Sequence, residues 1–144
     1  MKITYAKFLV VVNLISLFLI AGCGDKKSKS SQAEVKTPTA MYQVTALTNK
    51  EYTFSGADFK NAENPELTLK RGETYQFNID AFGHNFYIKD KQVPGKDNVY
   101  ETGVTKNGID EGVLTFTVPM DAPDTLFYVC KFHKMMSGKL IVVS

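Results

Sequence analysis

The chain is 144 residues long, enough for one folded domain and too short for two of ordinary size. Its 17 basic and 15 acidic residues leave a formal charge of +2, and from Thr37 onward 11 basic residues face 13 acidic ones. That balance gives no support to nucleic-acid binding, and no internal repeat is visible.

The chain opens with MKITYAK, which carries Lys2 and Lys7, followed by the uncharged run FLVVVNLISLFLIAG from Phe8 to Gly22. A membrane-spanning helix needs about 20 apolar residues. This run is shorter, is interrupted by Asn13 and stops at small residues, which is the layout of a secretory signal. Its end, Ile20-Ala21-Gly22-Cys23, resembles the bacterial lipobox, in which cleavage precedes a cysteine that is then lipidated. Residues 1–22 are therefore expected to be a lipoprotein signal peptide and Cys23 the lipid attachment point.

Two cysteines in an exported chain would by default suggest a Cys23–Cys130 disulfide. Cys23, however, precedes a segment with nothing to pack, where a crosslink would fix little structure. With Cys23 lipidated, Cys130 is a lone thiol in an oxidising compartment, a liability unless a metal occupies it. The next residues, GDKKSKSSQAEVKTPTA, are polar, rich in Lys and Ser, and free of helical or strand periodicity. Residues 23–40 read as a flexible tether, and 41–144 as the folded domain.

From Met41 onward, short alternating segments are separated by turn residues. Tyr42–Leu47 and Tyr52–Phe54 come first. Glu66–Lys70 and Thr74–Ile79 follow, reading as successive strands joined by a tight turn at Arg71-Gly72. Further strands are expected over Asn85–Ile88, Val113–Val118, Thr125–Cys130 and Lys139–Val143. No long helical stripe occurs. The pattern predicts an all-β fold, an antiparallel Greek-key β-sandwich of seven or eight strands. Gln92–Gly112 is long for a connection and holds Pro94 and four glycines. An irregular excursion with one short helical turn is expected there, serving as a docking surface or a tolerated insertion.

The segment YVCKFHKMMSGKLIV, Tyr128–Val142, concentrates the chemistry. Cys130 and His133 lie between two strands, in a loop tight enough to aim both side chains and one more at a single point. Met136, three residues beyond His133, can supply the third. A thiolate, imidazoles and a weak thioether are the ligand set of an electron-transfer copper site. The chain has 2 histidines, so the second imidazole must come from His84, at a strand start 46 residues before Cys130. Met135 competes with Met136; adjacent residues of an extended loop point to opposite sides, and Met136 is the expected one.

These residues, Gly83-His84-Asn85 and Tyr128-x-Cys130-x-x-His133-x-x-Met136-x-Gly138, resemble the ligand loops of the cupredoxins, type 1 blue copper proteins of the plastocyanin, pseudoazurin and amicyanin kind. The resemblance implies one copper per chain, with His84, Cys130 and His133 nearly coplanar with the metal and Met136 axial. It implies that Asn85 ties the two ligand loops together, and that electrons pass through His133. Phe132 and Lys134 depart from the family, which often has small residues or proline around this histidine. Lys131, Lys134 and Lys139 either favour an acidic partner or form a solvated rim.

The function expected is one-electron transfer between redox partners at the bacterial cell envelope. The carrier would be a monomer anchored through its N-terminal lipid and facing the periplasm or the cell exterior. Multicopper enzymes need more histidines, and a binuclear copper centre needs a second cysteine in the loop. The alternatives are copper buffering or delivery without electron cycling, zinc bound by His84, Cys130, His133 and water, and a sandwich that serves only for interaction.

Overall fold

The computed structural model describes residues 36–144; the apolar run, Cys23 and most of the tether lie outside the described residues. Ten strands follow in order: β1 (Ala40–Thr45), β2 (Thr53–Gly56), β3 (Phe59–Glu63), β4 (Leu67–Lys70), β5 (Thr74–Asp80), β6 (Phe86–Lys89), β7 (Val104–Thr105), β8 (Glu111–Thr117), β9 (Thr125–Cys130) and β10 (Ser137–Val143). They form two sheets, one ordered β3-β2-β1-β5-β8-β7 and the other β4-β10-β9-β6. This is the expected all-β sandwich. Most pairings are antiparallel, but β1–β5 and β4–β10 are parallel.

Alternation of side chains builds the interior. In β4, Leu67 and Leu69 are buried while Thr68 and Lys70 are exposed. Phe77 and Ile79 of β5, Leu126 and Tyr128 of β9, and Leu140 and Val142 of β10 fill the same space between the sheets. Aromatic rings dominate it. Phe86 stacks on Tyr128 at 5.4 Å between centroids, Tyr52 meets Phe86 edge-on at 5.1 Å, and Phe54 lies 5.0 Å from Tyr128. Each such buried side chain contributes on the order of 1.5–3 kcal/mol through removal of apolar surface from water, and the pairs add about 0.5–1.5 kcal/mol more. The cluster lies directly beneath the two ligand loops: Phe86 is two residues after His84, and Tyr128 two before Cys130.

The tight turn expected at Arg71-Gly72 is present, closed by Glu73 N–H to Lys70 O at 3.2 Å, but the successive strands it joins lie in different sheets. Arg71 N–H donates to Val143 O in one sheet and Gly72 N–H to Val118 O at the margin of the other, so the turn carries the chain across the sandwich. Periodicity reports which face of a strand is buried, and that face is the same for a hairpin partner as for a strand across the core. A strand at Phe59–Glu63 was not expected, because its burial alternates weakly. Gln92–Gly112 contains no helix; its ordered elements are β7, the start of β8 and isolated bridges from Val99 to Lys89 and from Ile109 to Phe86. It runs along the free edge of β6, where Tyr100 N–H donates to Ile88 O, Gly108 N–H to Phe86 O, and Asn107 bonds both backbone groups of Ile88. A connection that satisfies an open sheet edge blocks intermolecular strand pairing there.

Candidate metal centre

Two loops at one end of the sandwich carry the candidate residues. The first is the turn between β5 and β6. His84 N–H donates to Ala81 O, and Asp110 accepts from the Gly83 N–H at 3.0 Å. The second is the hairpin between β9 and β10, closed by Cys130 N–H to Met136 O at 2.9 Å and tightened by Met136 N–H to His133 O at 3.2 Å. β6 and β9 are paired with Phe86 opposite Cys130, which sets the two loops side by side. The β9–β10 register places Gly138 opposite Tyr128. A Cβ at Gly138 would lie 2.2 Å from the Tyr128 hydroxyl and 2.4 Å from its Cζ. Only glycine lets the tyrosine ring pass beneath the loop, where its hydroxyl donates to Pro65 O at 2.7 Å.

The structure brings His84, Cys130 and His133 together, with their candidate ligand atoms all within 4.8 Å of one another. The Nδ1 atoms of His84 and His133 are 3.2 Å apart, and Cys130 Sγ is 4.0 Å from the first and 3.6 Å from the second. A point in the plane of these three atoms lies about 2.1 Å from each, close to the bond lengths that a first-row metal ion makes to imidazole and thiolate. Cys130 is free and buried, and both histidines are half-buried. Met136 is fully buried whereas Met135 is 71% exposed. Two nitrogen donors, a thiol and a buried thioether on two adjacent loops fit copper, whose softer oxidation state favours sulfur.

Burial, and secondarily the neighbouring His133, lower the pKa of His84 below its ordinary 6.5. The ring is thereby biased towards its neutral form, which is the form that binds metal.

Two residues around the site, Tyr52 and Asn64, were not singled out from the sequence. The Tyr52 hydroxyl donates to His84 O at 2.9 Å. Burial, and then the adjacent Cys130, push its pKa far up, so it remains a donor. Asn64 accepts from Tyr52 N–H and donates to Met135 O at 3.0 Å, tying the residue before β2 to the hairpin. An asparagine before Pro65 signals a turn, but nothing local signals a partner 71 positions away. Asn85 joins the loops through its backbone: its carbonyl accepts from Lys131 N–H at 3.1 Å. Its side-chain amide goes instead to Gly108 O at 3.0 Å, in the long connection. Phe132 is 57% exposed and carries the Lys131 ammonium over its ring at 4.4 Å.

Residues 57–143 match the family of copper binding proteins described as plastocyanin/azurin. Amicyanin-alpha of Methylorubrum extorquens is 30% identical over 81 residues, which are 56% of this chain and 62% of that protein. Among solved structures, reduced rusticyanin is 23% identical with a TM-score of 0.48, over 72% of this chain and 78% of that one. Rusticyanin from Thiobacillus ferrooxidans is likewise 23% identical, with a TM-score of 0.46 over 72% of this chain and 76% of that one. A variant of amicyanin in its reduced copper(I) form is 23% identical with a TM-score of 0.43, over 77% of this chain and 88% of that one. The family match spans more than half of the chain and contains His84, Cys130, His133 and Met136; the chain belongs to the plastocyanin/azurin family of copper binding proteins.

Proposed function

We propose that this protein is a one-electron carrier whose redox centre is a single type 1 copper, which His84, Cys130, His133 and Met136 would hold. The observation that carries this reading is the common point about 2.1 Å from both Nδ1 atoms and Cys130 Sγ. Bound copper would supply the Cu(II)/Cu(I) couple. Cys130 and Met136 keep water from the sulfur side of the site, since both are fully buried. The loops that present the donors are held by backbone hydrogen bonds to neighbouring strands, so the donors keep their places when the charge of the site changes. Small reorganisation favours fast electron transfer.

His133 stands between this interior and solvent. Phe82, Phe132 and Met135, each within two residues of a histidine in sequence, are exposed apolar side chains and offer a dry contact for a redox partner. Lys131 and Lys134 bring positive charge to the same loop, which would affect encounter rate more than affinity. The N-terminal pattern supports the cellular setting: residues 1–22 a lipoprotein signal, Cys23 lipidated, 23–40 a tether and 41–144 the working domain. The carrier then operates as an anchored monomer at the bacterial cell envelope.

The test is a visible-absorption titration with copper(II) of the protein from residue 24 onward. An intense blue or green thiolate-to-copper band that saturates at one copper per chain is expected. Binding of zinc or copper(I) without such a band would replace electron transfer by metal handling. Mass spectrometry of the exported protein checks the lipid on Cys23, and a Cys23–Cys130 disulfide would sink the whole assignment.

A further inference from the structure

Lys89 is the last residue of β6, and its side chain is fully buried. Lysine is almost never fully buried unless its charge is met. The ion pair among the described residues is Arg71 with Asp124, at another place. Lys89 Nζ instead donates to two backbone carbonyls, Val93 O at 2.7 Å and Gly95 O at 3.1 Å. Alternation puts Lys89 on the face of β6 opposite Ile88, away from the core, so it is the segment after β6 that covers it.

That segment reaches the metal hairpin at two points. Gly95 N–H donates to Lys131 O at 2.8 Å, and Lys131 is the residue that follows Cys130. Gly95 has φ +93°, so its carbonyl can face Lys89 and its N–H the hairpin without the strain another residue would bear. Further along the hairpin, Gln92 Nε2 donates to Ser137 Oγ at 2.9 Å, and Ser137 Oγ donates to Lys134 O at 3.1 Å. The two grips fall on either side of His133. The other face of Lys131 is held by Asn85 O, in the loop that bears His84. The start of the excursion, at Gln92 and Gly95, is therefore built into the site.

We propose that Lys89 is a positioning residue for the metal centre: its buried ammonium holds the 92–95 turn, and that turn fixes the hairpin that presents Cys130 and His133. The inference rests on the copper reading above. Lys89 also carries a positive charge, offset in part by Asp97. It lies opposite Phe127, three positions along β9 from Cys130, which is roughly 10 Å of strand. A cation there opposes the extra charge of copper(II) and favours copper(I).

The test compares Lys89→Met and Gln92→Ala with the wild-type chain. Lys89→Met removes the charge and the donors while retaining an unbranched apolar stem; Gln92→Ala removes the second grip alone. Outlying partners of metal ligands typically alter affinity 10- to 100-fold. The ratio of copper(I) to copper(II) binding constants should fall about tenfold in Lys89→Met, which is about 59 mV in midpoint potential. The thiolate band and the copper hyperfine splitting should shift in both variants. In the metal-free proteins, amides of Gly95 and Lys131 should exchange about tenfold faster or more, with those of β5 and β8 unchanged. Should Lys89→Met fail to fold, Lys89→Gln, which keeps a donor and removes the charge, decides by the same readings. A wild-type chain without a thiolate band removes the copper reading, and amide exchange then decides the bracing alone. Variants that match a blue wild type in band, hyperfine splitting, midpoint and exchange overturn the proposal.

Discussion

Replacing Tyr52 with phenylalanine removes one oxygen from beneath the metal centre and leaves the ring in place. The ring is wholly buried, and its contacts with Phe86 at 5.1 Å and Tyr128 at 6.3 Å survive. What disappears is the donation to His84 O at 2.9 Å. A buried neutral hydrogen bond is worth about 0.5–1.5 kcal/mol net, and an acceptor left without its partner costs about 1–3 kcal/mol. His84 is half-buried, so water can compensate part of the loss, and about 1–2 kcal/mol is expected. For a domain of this size that is a fall of about 4–10 °C in Tm. The assay is urea unfolding of the metal-free protein, because bound copper would add its own stabilisation by mass action. The slope m should be unchanged and the midpoint lowered. With copper added, the thiolate band should move as the His84 carbonyl relaxes. A Tyr52→Phe protein as stable as the wild type, with an identical spectrum, would refute the view that the tyrosine anchors the first ligand loop.

The two methionines separate in the same experiments: Met136→Leu should change the visible spectrum and midpoint potential, and Met135→Leu should leave both alone. The opposite result would exchange their roles, and neither change should cost more than about 1.5 kcal/mol, since volume is kept. Gly138→Ala forces a Cβ into the Tyr128 ring, so a loss of about 1–3 kcal/mol from overpacking is expected; an unchanged urea midpoint would show that the ring moves aside freely. The pH dependence of the metal-free protein has a definite sign. The folded-state pKa of His84 lies below its ordinary 6.5, so the unfolded chain binds more protons just below that pH. Stability should therefore fall as pH drops through 6.5, and His84→Gln should flatten that slope. A wild-type urea midpoint that rises on acidification would contradict it.

What the sequence makes legible here is chemistry carried by side chains of scarce types. Two histidines and one cysteine of the folded part identify themselves by kind and spacing, although His84 and Cys130 are 46 positions apart and meet at 4.0 Å. The buried faces of β4, β5, β9 and β10 are legible for a related reason, because alternation is a local signal of burial. Partnership between strands is not local. The crossing at Arg71-Gly72 satisfies the same alternation as a hairpin would, and only long-range hydrogen bonds to Val143 and Val118 tell them apart. The braces of the metal hairpin are hidden more deeply. Gly95 N–H to Lys131 O and Lys131 N–H to Asn85 O are backbone bonds, which any residue other than proline as donor could make and which leave no trace in side-chain type. Lys89 is positively misleading: a lysine on the outward face of an edge strand reads as solvated, and it is buried only because a distant-looking excursion folds back over it. The residues that define the metal's identity and those that define its geometry thus obey different rules. The first require particular atoms and announce themselves in sequence; the second require only a carbonyl or an amide in the right place, which the fold alone supplies.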